Sequence, residues 1–253
     1  LETQMRLWLK NPLAILAEDA AGGIVVDGDR IAELVPRGAA PASPVDATFD
    51  AGRHVVLPGL VNAHTHSSET FFKGRYQGMP LEVWCLYAYP PLMDAPIAPR
   101  LLYLRTLLLA MESLRSGVTT LCDDFFDPPT HDLDRLGVVF SAYEDAGIRA
   151  NVSSAVMNIP MLDTLPYARA VMPAALQAQL DFPQISVDDY IAYGRAAFAA
   201  LDGKAGRLRF MLAPSAPQRC TPEMLQACDA LAREKGVPLH THVLETVTQA
   251  ATG

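Results

Sequence analysis

The sequence predicts an α/β protein in which a small N-terminal β module precedes a (β/α)8 barrel that is only partly present. The first stretch of the chain contains short strand patterns alone, and from residue 55 onward strand and helix patterns alternate. Such alternation is typical of a parallel sheet with helices outside it, either open or closed into a barrel. Only about five such units fit into the remaining residues, whereas a closed barrel needs eight.

Residues 1–56 are predicted to form the N-terminal part of a β module. Arg6 to Leu9 is one candidate strand. Gly23 to Val26 and Ile31 to Val35 flank the pair Asp27-Gly28. This pair predicts a hairpin, because a tight type I′ turn needs residues that tolerate positive φ angles.

Residues 57–253 are predicted to form the barrel part, up to its fifth strand. Strands are expected at the apolar runs 55–61, 118–122, 148–156, 208–213 and 237–243. Helix patterns with recognisable ends lie between them at 98–116, 186–201 and 221–236. Small polar residues begin the last two of these helices, and glycines end the first and the last, which is typical of helix caps.

Composition and charge exclude several classes of protein. The chain is 50% apolar and 19% charged, as ordinary globular proteins are, and its net charge of −8 argues against a nucleic-acid or anionic-membrane binder. It has no apolar run long enough to span a membrane, and the start Leu1-Glu2-Thr3 lacks a signal-peptide pattern. The four cysteines show no C-x-x-C spacing, so a reducing, cytoplasmic location is expected.

Two histidines, His64 and His66, follow the first apolar run of the barrel part. Because side chains alternate faces along a strand, both imidazoles are expected to point the same way at its end. Two neutral imidazoles aimed at one point suit a divalent metal, with zinc as the first choice. A single His-x-His is weak evidence, and two exposed loop histidines are the competing interpretation.

The fifth apolar run carries a second pair, His240 and His242, and Glu245 follows His242 by three residues. Enzymes built on parallel sheets place their sites at the carboxyl ends of the strands. His242 is therefore expected to join the first two histidines around one ion, with Glu245 beside it. His240 lies one step deeper and is expected to be a hydrogen-bonded core histidine.

The runs LPGLVNAHTH, SGVTT and LHTHVLET, preceded by the β module, resemble the amidohydrolase superfamily, and within it the branch of cytosine deaminase, guanine deaminase and atrazine chlorohydrolase. The resemblance covers essentially the whole chain. It implies the barrel fold of that superfamily, a metal held by His64, His66 and His242, and Glu245 as proton shuttle. It also implies a histidine after strand six and a metal-binding aspartate after strand eight, and neither lies within these residues.

The resemblance also bears on metal count and substrate. Binuclear relatives place a bridging lysine or glutamate at strand four, where Arg207 to Ala213 has neither, so one divalent ion is expected, zinc, with iron as the alternative. Several deaminases carry a ring-binding histidine at the position of Ser215, so Ser215 is expected to lie against the substrate. Gln218 is expected to replace that contact, with an amide bonded to the loop backbone as the alternative. Asp123 and Asp124 are expected to bond backbone and not to bind metal.

Two further segments are candidates for the substrate pocket. Trp84, with Tyr87 and Tyr89, is expected to form a wall for a flat substrate, and packing under a loop is the alternative. The proline-interrupted stretch from Met157 to Pro183 forms either a specificity loop or an inserted pair of helices.

The sequence thus predicts a metal-dependent hydrolase that acts on C–N bonds other than peptide bonds, by deaminating a small N-heterocycle such as an aminated purine, pyrimidine or triazine. Hydrolytic dechlorination is the alternative chemistry. The competing hypothesis is a truncated or divergent non-catalytic homologue, in which the open sheet edge pairs with another copy. A homo-oligomer is therefore an open alternative, and the 253-residue chain alone is expected to be inactive.

Overall fold

The structure is a computed structural model that describes residues 5–16, 21–90, 96–127, 131–181 and 183–252, so the start Leu1-Glu2-Thr3 lies outside it. It divides into two compact units, Leu1–Gly59 and Leu60–Gly253. Within the described ranges, none of the helices combines the length and the apolar character that crossing a membrane requires.

The first unit consists of short strands. They are β1 (Arg6–Lys10), β2 (Ala14–Ile15), β3 (Ala21–Asp27), β4 (Arg30–Pro36), β5 (Ala47–Asp50) and β6 (Val55–Val56). Four of them form a sheet in the order β4-β3-β1-β5, and β2 pairs with β6. The predicted hairpin is confirmed as β3–β4, but its two-residue loop is Gly28-Asp29. Of these two only Gly28 has a positive φ, 58°, so the predicted type I′ turn, which needs two positive φ angles, is wrong.

The second unit contains a parallel sheet with helices between its strands. The strands are β7 (Leu60–Thr65), β8 (Val118–Asp123), β9 (Arg149–Val156) and β10 (Leu208–Pro214). The helices are α1 (Leu81–Ala88), α2 (Pro99–Arg115), α3 (Leu133–Ala146), α4 (Ala168–Val171), α5 (Ala174–Leu180), α6 (Val187–Leu201), α7 (Pro222–Lys235) and α8 (Val247–Thr252). Short 3-10 turns lie at Ser67–Phe72, Met161–Asp163, Lys204–Gly206 and Pro217–Arg219. The strands lie side by side in chain order, all parallel, as successive strands of a (β/α)8 barrel do.

Local chemistry explains where the helices begin and end. The Asp132 side chain accepts hydrogen bonds from two backbone N–H groups at the start of α3, and Thr221 Oγ1 accepts one from Met224 N at the start of α7. Gly147 and Gly236 end the same two helices with φ angles of 77° and 66°, which glycine adopts without steric cost.

The core of this unit lies between the sheet and the helices. Leu121, Val152 and Phe210 from the strands pack against Phe140 and Tyr143 of α3, and all five are fully buried. This packing fixes the sheet, and with it the strand ends that carry the polar residues described below.

Two predicted strands differ from the structure. The run 55–61 is two strands, because Pro58 cannot donate to a ladder: β6 ends before it and pairs with β2, whereas β7 begins after it and pairs with β8. The run 237–243 lies along β10 but forms only an isolated bridge, Leu212 with Leu239. Two further backbone hydrogen bonds, from His240 and His242, hold it there. Among the described residues no strand lies on its other side, and this ladder is too short to make a continuous strand.

Candidate metal centre and substrate cavity

Three histidines meet at the carboxyl ends of the parallel strands. His64 and His66 lie at the end of β7, and His242 lies on the segment that follows β10. One ring nitrogen from each of them lies within 4.8 Å of the others. The structure therefore brings together the three residues that the sequence proposed as metal ligands.

The hydrogen bonds of two of these rings fix which nitrogen faces the centre. His66 Nδ1 lies 2.8 Å from the carbonyl oxygen of Asp124, and His242 Nδ1 lies 2.9 Å from that of Ser215. Because a carbonyl only accepts, each Nδ1 carries the hydrogen, and in the neutral rings each Nε2 carries a lone pair. The two Nε2 atoms face each other at 3.4 Å. Two lone pairs in that position repel unless a cation lies between them, so this donor set fits a zinc ion.

His240 is not an isolated core histidine. It is half-buried, and its Nε2 lies 2.7 Å from Nδ1 of His64. The hydrogen bond expected of His240 is therefore present. Its partner is His64, a candidate metal ligand, so His240 orients the His64 ring. Burial, followed by the neighbouring His66, holds the pKa of His64 below its usual value, and burial also lowers the pKa of His240. Both shifts favour the neutral imidazole that binds metal.

The two aspartates after β8 have different positions. Asp123 is fully buried and bonds the backbone, as predicted: its Oδ1 accepts from Ser67 N at 2.7 Å, directly after His66. Asp124 was not expected to bind metal, yet it forms a second candidate group with His240 and His242. Its Oδ2 lies 3.8 Å from Nδ1 of His242.

A cavity of about 460 Å³ opens beside the cluster, and His66, His242 and Glu245 lie in its wall. Its other walls are largely apolar and aromatic. They include Leu81, Trp84, Tyr89, Phe126, Met157, Ile159, Leu165 and Ile185. This volume is in the range of small-molecule sites, and it holds more than a single ring.

The structure places only two of the three predicted substrate contacts in the cavity wall. Trp84, on α1, and the buried Ser215 lie in the cavity wall, whereas Gln218 is half-buried and is not among the residues that form it. The stretch from Met157 to Pro183 combines its two predicted forms, because it contains the short helices α4 and α5 and also supplies several wall residues.

Glu245 is placed by a sharp turn of the backbone. Leu244 has a φ of 56°, a left-handed conformation that a leucine rarely adopts and that recurs at functional sites. The backbone N–H of Glu245 donates to Oε1 of the buried Gln249 at 2.8 Å, and Gln249 Nε2 lies 3.4 Å from the Glu245 carboxylate. These contacts hold Glu245 next to His242.

Several polar residues of the cavity wall were not predicted from the sequence, among them Glu69, His131 and Arg219. Glu69 follows His66 by three residues, which is the spacing of His242 and Glu245, so that signal was present. Its Oε1 accepts from the Tyr89 hydroxyl at 2.9 Å, and burial raises its pKa. Arg219 is the next residue after the predicted Gln218. His131 had no signal in the sequence.

Three histidines and a carboxylate thus lie at the carboxyl ends of parallel strands, beside a cavity, which is where barrel enzymes place metal sites. Comparison with known proteins agrees. The chain belongs to the amidohydrolase family, whose sequence profile matches residues 55–250.

Curated relatives are deaminases by name. The chain is 34% identical over 252 residues to 8-oxoguanine deaminase of Pseudomonas aeruginosa, covering 96% of this chain and 53% of that protein. It is 32% identical over 226 residues to 5-methylthioadenosine/S-adenosylhomocysteine deaminase of Symbiobacterium thermophilum, covering 89% of this chain and 45% of that protein. The chain thus spans about half the length of the curated relatives it matches.

Solved structures share the fold. The atrazine chlorohydrolase of Arthrobacter aurescens TC1, complexed with zinc, superposes with a TM-score of 0.74 at 21% identity, covering 95% of this chain and 53% of that chain. An adenosine deaminase of Xanthomonas campestris with bound zinc gives a TM-score of 0.67 at 24% identity, covering 98% of this chain and 51% of that chain.

Proposed function

We propose that this protein is a metal-dependent hydrolase that removes an amino group from a small nitrogen heterocycle. The observation that carries the proposal is the convergence of three imidazole nitrogens within 4.8 Å of one another, with Glu245 in the wall of the same cavity. The names of the curated relatives, which act on 8-oxoguanine and on adenosine derivatives, support the substrate class.

His64, His66 and His242 would hold one divalent ion, with zinc as the first choice because both solved neighbours above contain it. When bound, zinc acts as a Lewis acid and lowers the pKa of water towards about 7. The carbonyl groups of Asp124 and Ser215 keep two of the rings in the tautomer that this requires. The metal content and metal affinity of the protein after substitution of Asp124 decide whether this residue also contacts the ion.

The remaining residues bind the substrate and move protons. Trp84, Tyr89 and Phe126 provide aromatic faces against which a flat ring can stack, and the apolar walls exclude water. The carboxylate oxygens of Glu245 accept a proton from the attacking water and return it to the nitrogen of the leaving amino group. Such proton transfer contributes about 10²- to 10⁴-fold to a rate.

A screen of the purified protein, in its full encoded length and loaded with zinc, tests this proposal. Ammonia and chloride release are measured with aminated purines, pyrimidines and triazines and with a chlorotriazine. We expect ammonia release and no chloride release. Glu245→Gln should lower the rate of ammonia release by about 10²- to 10⁴-fold, whereas Glu234→Gln, at an exposed ion pair with Arg195, should leave that rate unchanged.

Three other outcomes contradict parts of the proposal. Chloride release alone would establish dechlorination instead. Stoichiometric zinc without turnover of any of these compounds would favour a non-catalytic homologue. Full activity of protein that is loaded with iron and free of zinc would show that iron, and not zinc, is the metal of this site.

A further inference from the structure

Arg219 is a cation in the wall of the cavity, where its charge interacts with that of Glu82 in the same wall. It is the only lysine or arginine of that wall among the residues that the structure describes. Its guanidinium makes one long hydrogen bond, 3.5 Å from Nη1 to Oγ of Ser215. No carboxylate of the described residues lies within 4.0 Å of it. A guanidinium has five N–H donors, and the half-buried Arg219 uses one of them in the bond to Ser215, so the others are available to water or to a ligand in the cavity.

The backbone that carries this side chain is held in place. The carbonyl oxygen of Arg219 accepts from Asn158 N at 3.1 Å and from Ile159 N at 3.2 Å, and its own N–H donates to Ala216 O at 3.0 Å. Asn158 also accepts from Thr221 N at 2.8 Å through its side chain. These bonds fix the backbone position from which the Arg219 side chain reaches the cavity, and a fixed backbone reduces the ordering cost of ligand binding.

Arg219 is also tied to the metal centre through one residue. The carbonyl oxygen of Ser215 accepts from the ring of His242, and the Ser215 hydroxyl lies next to Arg219. The guanidinium and the candidate ligand are thus separated by a single residue and two hydrogen bonds. A bicyclic ring whose reacting carbon lies at the histidines would bring its far side to Arg219.

We propose that Arg219, assisted by the Ser215 hydroxyl, binds an oxygen acceptor on the substrate, remote from the amino group that leaves. This inference rests on the proposed function and narrows it: the substrate is an aminated heterocycle that carries a ring carbonyl or a carboxylate. A guanidinium recognises either group by charge-assisted hydrogen bonds, which are roughly twice as strong as neutral ones.

Two matched substrate pairs test the proposal on the zinc-loaded protein of full encoded length. 2-Aminopurine and 8-oxoguanine share a 2-amino group, but only 8-oxoguanine carries ring carbonyls, and methylthioadenosine and S-adenosylhomocysteine differ in a carboxylate-bearing tail. The wild type should prefer the oxygen-rich member of at least one pair, and the pair concerned identifies the acceptor. Arg219→Met should lower kcat/KM for that member by about 10- to 100-fold and change the other member by less than about 3-fold.

Two further variants serve as controls. Arg233→Met removes a charge from the exposed face of α7, where it pairs with Asp229, and should leave both preferences unchanged. Arg219→Lys keeps the charge without the fork of donors and should recover part of the preference. Activity of Arg219→Met on the oxygen-poor member shows that the variant is folded.

The possible results separate the two proposals. If the wild type deaminates these compounds but Arg219→Met retains the wild-type preference in both pairs, the role of Arg219 is refuted and the proposed function stands. An equal loss on both members of a pair would make Arg219 a structural residue and would also refute the inference. If the wild type deaminates none of the four, the proposed function fails for this class and the inference fails with it.

Discussion

The hydrogen bond between Tyr143 and Asp123 is linked through Ser67 to the candidate ligand His66, and its removal tests how the fold supports the candidate metal site. Both side chains are fully buried, and the Tyr143 hydroxyl donates to Asp123 Oδ2 at 2.8 Å. The other oxygen of Asp123 accepts from Ser67 N, next to His66. Tyr143→Phe removes one oxygen atom, creates almost no cavity and leaves a buried carboxylate with one donor fewer.

The expected cost follows from that environment. Hydrogen bonds to charged groups contribute about 1.5–3 kcal/mol, so Tyr143→Phe should lower the free energy of unfolding by about this amount at neutral pH. Tyr103→Phe is the matched control, because its hydroxyl also donates to an aspartate, Asp145, at 2.7 Å, but at an exposed position. That substitution should cost much less, because water replaces the hydrogen bond of an exposed hydroxyl.

The effect should depend on pH. Burial raises the pKa of Asp123, while the bonds from Ser67 and Tyr143 counteract part of that rise. A raised carboxyl pKa in the folded state means that stability is lost as the pH rises through it, and without the Tyr143 donor the pKa rises further. The cost of Tyr143→Phe should therefore be larger at neutral pH than in acid, where Asp123 is protonated.

Urea unfolding of the metal-free protein, followed by tryptophan fluorescence at neutral and acidic pH, measures the stability cost of each substitution and its dependence on pH. Equal destabilisation by Tyr143→Phe and Tyr103→Phe, or a cost for Tyr143→Phe that grows in acid, would refute the reasoning. Zinc titration of the same variants then shows whether the loosened Ser67 turn also weakens metal binding.

Three predictions concern the site itself. The double variant His64→Ala, His66→Ala should lose bound zinc in elemental analysis, whereas the exposed His54→Ala should keep it, and stoichiometric zinc in the double variant would contradict the ligand assignment. Glu245→Gln should lower turnover by about 10²- to 10⁴-fold while zinc content stays at the wild-type level; a parallel loss of zinc would make Glu245 a ligand. His240→Ala should weaken zinc affinity by about 10- to 100-fold, and His240→Gln, which can still bond His64, should restore part of it. Unchanged affinity in both would show that His240 has no orienting role.

The sequence predicted most of the local structure because its signals are local. Helices α2, α6 and α7 begin and end within about two residues of the predicted bounds, since α2 starts at a proline and α6 and α7 carry the N-caps Ser186 and Thr221. The run 237–243 has the same strand-like composition as the other runs but forms only a bridge. Strand formation depends on neighbours on both sides, which a local pattern does not report.

The site was predictable where it rested on short motifs, and not where it depended on contacts between distant segments. The pairs His64-His66 and His242-Glu245 follow from spacing at strand ends. The hydrogen bond between His240 and His64 joins segments that are far apart in the chain, and no periodic pattern in the sequence predicts it. In the loop after β10 the sequence reasoning chose Gln218, but the 3-10 turn Pro217–Arg219 brings its neighbour into the cavity wall instead.

The chain contains the spacing His-x-x-Glu twice, and only the environment distinguishes the two glutamates. Glu69 is held by the Tyr89 hydroxyl in a buried position, which fixes its carboxylate against the cavity wall. Glu245 is exposed, follows a residue with a left-handed backbone, and is contacted only through the amide of Gln249 among the side chains described. We expect the exposed carboxylate, Glu245, to be the one that transfers the proton in the proposed reaction. In that interpretation the same four-residue pattern gives a fixed wall residue after β7 and a proton-transfer residue after the segment 237–243.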